Sequence, residues 1–215
     1  MVIACYLVTA ALAYLIGSIP TGFLVARAKG VDIRTVGSGN IGATNAMRVL
    51  GKPAGLLVLS VDALKGWVAV RVVAMWVVDQ MVRPDSQGEA RLIAAIIAAL
   101  FAVFGHNYTC WLGFKGGKGI ATSAGVLTAL VPWALLIIMS VWIILSALTR
   151  YVSVGSLAAS FTLPFATWFT TKDLRLTLVT GAMGVLATYK HKGNIQRLLN
   201  GTEPRLGQKK PEVAK

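Results

Sequence analysis

The stretch "RLIAAIIAALFAVFGHNYTCWL", residues 91–112, decides what kind of molecule this is. A helix needs about 20 predominantly apolar residues to cross a hydrocarbon layer. This stretch meets that length, then runs into "GFKGGKGIATSAG" at 113–125, a cationic, glycine-rich turn. The pattern reads as a transmembrane helix that delivers a polar loop to the membrane surface. Further apolar runs extend the reading in both directions. They are "VIACYLVTAALAYLIGSIPTGFLVA" (2–26), "AGLLVLSVDALKGWVAVRVVAMWVV" (54–78), 119–148, 152–169 and 175–189. Pro132 divides 119–148 into two shorter helices, because proline lacks the amide an uninterrupted helix needs. The first run has no charged n-region and is read as a retained span, not a cleaved leader. The expectation is an all-α polytopic membrane protein with about seven transmembrane helices.

Composition agrees. Of 215 residues, 56% are hydrophobic and 13% charged, where soluble domains carry about 25% charged. The mean hydropathy is +0.70. There is no room for a large soluble domain; residues 1–203 form one integral-membrane domain, and 204–215 read as a mobile basic tail. The net charge of +13 suits nucleic acid, an anionic membrane or an anionic substrate. In a multi-pass protein the membrane reading comes first, since cytoplasmic loops collect Lys and Arg; no nucleic-acid partner is expected.

Charge also sets orientation. The segments 26–53, 106–118, 149–151 and 190–215 share one side and hold 15 of the 21 Lys and Arg. Arg83, Arg91, Lys172 and Arg175 make 4 on the other side, and Lys65 and Arg71 lie within the second span. This bias places the N-terminus outside and the C-terminus in the cytoplasm. Cys5 and Cys110 then fall at opposite ends of a ~30 Å layer, too far apart to bond. No His/Cys cluster suggests a metal.

The polar motifs gather on the cytoplasmic side. In "GSGNIGATNAMR" (37–48), Gly37, Gly39 and Gly42 allow positive φ and close approach of amides to an anion. Ser38, Asn40, Thr44 and Asn45 add donors, and Arg48 adds a planar cation suited to phosphate. A tight linker between two helices would look similar. "DALKG" (62–66) places Asp62 and Lys65 on one helix face inside a span. Charged groups there are costly, so they either neutralise each other or border a substrate pocket. Lys115, Gly116, Gly117, Lys118 and Gly119 form a cationic turn before a helix N-terminus, where free amides and the helix dipole favour anions. This is not a Walker loop, because Gly119 stands where Ser or Thr is required. His106 opens that loop, as a helix cap or as a catalytic group. In "HKGNIQRLLNGTEPRLG" (191–207), His191 and Asn194 share a helical face and Glu203 is one of few acids on this side. Ile195, Leu198 and Leu199 would face lipid and Arg197 the headgroups.

Together "GSIPTGFL" (17–24), "GSGNIGATNAMRVLG", "DALKG", "GHNYTCWLGFKGGKGIAT" and "HKGNIQRLLNGTE" resemble, in order, the motif set of the bacterial acyl-phosphate-dependent glycerol-3-phosphate acyltransferases. Tyr108, Thr109 and Lys192 depart from the family's usual residues. The resemblance implies transfer of a fatty acyl group from acyl phosphate to the 1-hydroxyl of glycerol 3-phosphate. Lysophosphatidic acid and phosphate would be the products, made at the cytoplasmic face of the bacterial inner membrane. It implies no cofactor and no metal. Acyl phosphate, glycerol 3-phosphate and membrane lipids are the expected partners, and a single chain is expected to suffice. Loop 115–119 would cradle acyl phosphate, while Arg48, Lys65, His191 and Asn194 would grip glycerol phosphate, with Asp62 and Glu203 beside them. The resemblance puts Ser38 in the active centre, where it reads as a positioning hydrogen-bonder. The base stays open among His106, His191 and a substrate phosphate oxygen. A transporter of a phosphorylated solute is the rival reading; a magnesium phosphotransferase would need clustered carboxylates that the chain lacks.

Overall fold

A computed structural model describes residues 1–206. Among the described residues the regular structure is helical, with no strand. The helices are α1 (Val2–Ser18), α2 (Thr21–Arg27), α3 (Ala43–Leu50), α4 (Lys52–Val68), α5 (Ala74–Met81), α6 (Gln87–Asn107), α7 (Ile120–Leu130), α8 (Pro132–Thr149), α9 (Val152–Thr171), α10 (Leu174–Lys190) and α11 (Lys192–Leu199). Four helical stretches are long and apolar enough to cross a membrane: Val2–Arg27, Pro84–Leu112, Pro132–Thr149 and Val152–Thr171.

The chain forms two compact units, Met1–Pro132 and Trp133–Lys215. In the first, α1 packs on α6, α4 on α7, and α3 on α4. Its interior is lined with small residues. Ala94, Ala98 and Ala102 form one buried face of α6, while Phe101 and Phe104 are 41% and 47% exposed. Small inside and large outside suits lipid, where helices associate by close backbone approach and not by hydrophobic burial. A side chain at Gly17 would overlap the Ala102 carbonyl, and one at Gly105 the Tyr14 carbonyl. Gly66 and Gly125 do the same for α4 and α7, against Thr122 and Ala63.

In the second unit α9 and α10 pack together. Pro164 sits inside α9 and cannot donate to the Ser160 carbonyl; Gly184 of α10 lies directly against that carbonyl. Buried hydroxyls bond back along their own helices, as in Ser160 Oγ to Ser156 O at 2.7 Å and Thr180 Oγ1 to Leu176 O at 2.8 Å.

Four expectations need correction. The apolar run 2–26 is broken at Ile19–Pro20, since a residue before proline avoids the helical region; Ile19 adopts φ −55°, ψ 113°. The polar loop after it is partly helical, because α3 carries Thr44, Asn45 and Arg48. The second span is longer than expected: α4 and α5 are joined through a π-helical turn, Ala69–Val73, that contains the exposed Arg71. At the C-terminal end, Arg205 Nε donates to Tyr151 Oη at 3.0 Å and Leu206 N to Arg150 O at 2.7 Å. The start of the expected mobile tail is thus tied to the α8–α9 turn; residues 207–215 lie outside the described residues. The break at Pro132 falls where the sequence indicates, between α7 and α8.

Candidate active site

The break after α1 organises the polar groups of the first unit. Pro20 contributes no amide, so the chain turns and α1 leaves carbonyls without helical partners. The Ser18 carbonyl accepts from Thr109 Oγ1 at 2.5 Å, and the Ile19 carbonyl accepts from Lys65 Nζ at 2.8 Å. Just past the break, Thr21 Oγ1 donates to Asp62 Oδ1 at 2.9 Å. Gly22 then packs so closely on the Ile41 carbonyl that a side chain there would overlap it. Five residues therefore tie together the segments around Ile41, Asp62–Lys65 and Thr109.

Asp62 and Lys65 form a buried ion pair, Nζ to Oδ1 2.7 Å, with side chains only 2% and 4% exposed. The third contact of the ammonium is His106 Nδ1 at 3.0 Å. Its three protons thus have three acceptors: a carboxylate, a carbonyl and an imidazole nitrogen. Removing one member of such a pair strands a buried charge at a cost of about 3–5 kcal/mol. Both groups expected to contact substrate are, in this structure, enclosed and satisfied within the protein. An ammonium only donates, so Nδ1 of His106 accepts and the ring proton belongs on Nε2.

His106 and Asn107 end α6, and the glycine-rich turn folds back onto them. Gly117 N donates to His106 O at 3.0 Å and Gly116 N to Asn107 O at 3.2 Å. A Cβ on Gly117 would run into His106 Nε2, and one on Gly116 into the His106 carbonyl. These two glycines are needed for proximity. Gly119 is needed for its conformation, φ 78°, as the residue before α7. Lys118 is half-buried and Lys115 exposed.

The segment 37–48 is built around Asn45, which is 2% exposed. Its amide nitrogen donates to the carbonyls of Asn40 at 2.9 Å, Val36 at 3.1 Å and Ile33 at 3.3 Å. Its oxygen accepts from Ser38 N at 2.9 Å. Asn40 Oδ1 accepts from Gly42 N at 2.9 Å. Asn45, read as a ligand donor, is thus committed to the fold of the turn, and Asn40 gives its side-chain oxygen to it. Gly37 and Gly39 have φ 63° and 69°, whereas Gly42 is extended at φ −79° as the cap of α3. What the turn leaves exposed is Ser38 and Thr44, with Arg48 half-buried. Beneath it, Ile33, Ile41, Ala26, Ala46 and Val58 form an apolar cluster, against which Leu112 packs. That contact joins the serine turn to the segment preceding the glycine loop.

The second unit holds its own polar cluster. His191 Nδ1 lies 2.7 Å from Ala187 O, which can only accept, so that nitrogen carries a proton. Glu203 is 9% exposed and accepts from Asn194 Nδ2 at 2.6 Å and Arg197 Nε at 2.8 Å. Burial alone would raise its carboxyl, but donors from Asn194 and Arg197 outweigh burial and hold it below its ordinary value of 4.5. Arg197 is therefore paired within the protein. Leu199 is 82% exposed, with Ile195 and Leu198 half-buried on the same short helix.

Sequence reading missed Thr21, the Ile19 carbonyl and Asn107. A proline and a threonine inside an apolar run were the available signal for the first two.

Fold and site together define an integral membrane protein of packed helices whose polar turns present amides, hydroxyls and cations. Comparison sharpens that class. The model of the Glycerol-3-phosphate acyltransferase family matches residues 7–201. A glycerol-3-phosphate acyltransferase of Synechococcus sp. (strain JA-2-3B'a(2-13)) is 47% identical over 197 residues, 91% of this chain and 92% of that protein. One from Fusobacterium nucleatum subsp. nucleatum is 41% identical over 94% of this chain and 97% of its own. The crystal structure of PlsY (YgiH), an integral membrane glycerol 3-phosphate acyltransferase, in its glycerol 3-phosphate form, superposes with TM-score 0.83 at 38% identity, covering 94% of this chain and 96% of that one. Its lysophosphatidic acid form gives 0.80 at 37% identity, covering 94% and 95%. The chain belongs to the glycerol-3-phosphate acyltransferase family.

Proposed function

We propose that this protein transfers a fatty acyl group from acyl phosphate to the 1-hydroxyl of glycerol 3-phosphate, in phospholipid biosynthesis. The family match over residues 7–201 carries this reading. That the similar PlsY was crystallised with glycerol 3-phosphate and with lysophosphatidic acid supports the acceptor and the product.

In the proposed step the hydroxyl oxygen attacks the acyl carbonyl carbon, the carbon–oxygen bond to phosphate breaks, and inorganic phosphate leaves. The mixed anhydride is already activated, so the protein's task is to align two anionic molecules and offset their charge. Alignment alone can lower a barrier by roughly 7–11 kcal/mol. Lys118 and the cationic turn 115–119 are proposed to hold acyl phosphate, and Arg48, His191 and Asn194 glycerol phosphate. Ser38, exposed on its turn, offers a hydrogen bond to the reacting groups; transfer is direct, without an acyl-serine. His106 has Nδ1 engaged by Lys65, so the hydroxyl proton passes to His191 Nε2 or to a phosphate oxygen. We further propose seven crossings, with the N-terminus outside, the C-terminus in the cytoplasm and the chemistry at the cytoplasmic face of the bacterial inner membrane. The 15 to 4 bias in Lys and Arg supports that orientation.

Purified protein in detergent, given a long-chain acyl phosphate, should release phosphate only when glycerol 3-phosphate is added. Solute flux through liposomes without product would replace the enzyme with a transporter.

A further inference from the structure

We propose that Thr21 is a positioning residue for acyl transfer: with the Ile19 carbonyl it sets the Asp62–Lys65–His106 chain on which the glycine-rich turn is seated. This inference rests on the acyltransferase reading for its kinetic test and on geometry alone for its structural one.

The chain of contacts is continuous. Thr21 Oγ1 donates to Asp62 Oδ1 at 2.9 Å, and that same oxygen accepts from Lys65 Nζ at 2.7 Å. The same Lys65 ammonium donates to Ile19 O at 2.8 Å and to His106 Nδ1 at 3.0 Å. Nε2 of that ring faces Gly117, whose own amide is bonded to the His106 carbonyl at 3.0 Å. Thr21, Asp62, Lys65 and His106 are 7%, 1%, 5% and 5% exposed, so water does not substitute for a missing partner. In this arrangement the ammonium has no rotational freedom: each proton has one acceptor, and the ring is fixed as the Nε2–H tautomer. The ring plane in turn fixes how closely Gly117 approaches, and with it where Gly116, Lys118 and Gly119 lie.

Loss of the Thr21 hydroxyl removes one donor from Asp62 and lets the carboxylate draw Lys65 away from His106. Hydrogen bonds to charged groups are the stronger class, so the effect on a loop four contacts away is measurable. The substrate contacts themselves stay in place, which separates this role from direct binding.

The test uses full-length protein labelled with 15N-histidine. Because His106 and His191 are the only imidazoles, their side-chain nitrogen signals can be assigned by comparison with His191→Gln. In the wild type His106 should show a protonated Nε2 and an unprotonated Nδ1. In Thr21→Val those signals should shift or broaden, and kcat/KM should fall about tenfold or more with the larger share in KM for acyl phosphate; Thr21→Ser should restore both. A wild-type His106 protonated on Nδ1 overturns the proposal without any variant having to fold. So does a Thr21→Val protein with unchanged histidine signals and unchanged KM. Absence of acyl transfer in the wild type with the expected histidine spectrum would sink the acyltransferase reading instead, and leave the network standing.

Discussion

Lys118 and Glu203 show how differently two charged side chains in one protein can be used. Lys118 sits between glycines whose amides already serve the loop, so its charge is what a bound phosphate would meet. Lys118→Ala should lose activity by about a hundredfold or more, since a cation beside the departing phosphate is worth about 3–4 kcal/mol. Initial rates at saturating substrate check this; near wild-type turnover would remove the loop from the site. Glu203 works inward, accepting from Asn194 and Arg197. Its folded carboxyl is held below 4.5, so its stabilising contribution is complete above that value and is lost as pH falls beneath it. Thermal unfolding of wild type and Glu203→Gln should differ most near about pH 7 and converge as pH falls below 4.5. The sequence made many of these residue types legible but not their duties. Asn45 looked like a ligand donor because asparagine does both jobs; only the turn's backbone shows its side chain consumed by three carbonyls and one amide. Lys65 was readable as paired with Asp62 from the i, i+3 spacing, but its carbonyl and imidazole acceptors come from α1 and α6, which no local pattern reveals.

At the scale of elements, the decisive features are interruptions. Apolar length marked where helices lie, and Pro132 marked a break, because both are local properties of the chain. The break at Ile19–Pro20 was passed over: the run on either side is apolar enough to read straight through. Its use became clear only from partners more than forty residues away. The π-turn at Ala69–Val73 carries no composition signal either. The glycine loop is proposed as an anion cradle, and its glycines divide by purpose, two for proximity to His106 and one for a left-handed φ. That division is testable. In Gly117→Ala the added methyl meets the His106 ring, and either loop or ring has to move. Overpacking of this kind costs about 1–3 kcal/mol, too little to unfold the bundle. The variant should therefore purify and melt close to wild type while losing at least about tenfold in kcat/KM. A fully active Gly117→Ala protein would show that the loop does not depend on its seat against His106.

For the whole molecule, small residues inside and large apolar residues outside make the membrane the natural solvent, and the excess of Lys and Arg is the basis of the proposed sidedness. Cysteines placed singly at Thr35, Lys115 and Asn200, in a background lacking Cys5 and Cys110, should be shielded from impermeant thiol reagents in intact cells. A cysteine at Ser86 should be labelled. Opposite results for Thr35 and Lys115 would mean that the crossings between them are miscounted. Direct acyl transfer is checked by a single mass balance. Purified protein is mixed with glycerol 3-phosphate and a radiolabelled long-chain acyl phosphate in the presence of EDTA, and phosphate and labelled lipid are counted over time. One lysophosphatidic acid should form for each phosphate released, with chelator making no difference and no label retained on protein. Phosphate released without lysophosphatidic acid, or label trapped on Ser38, would contradict direct acyl transfer.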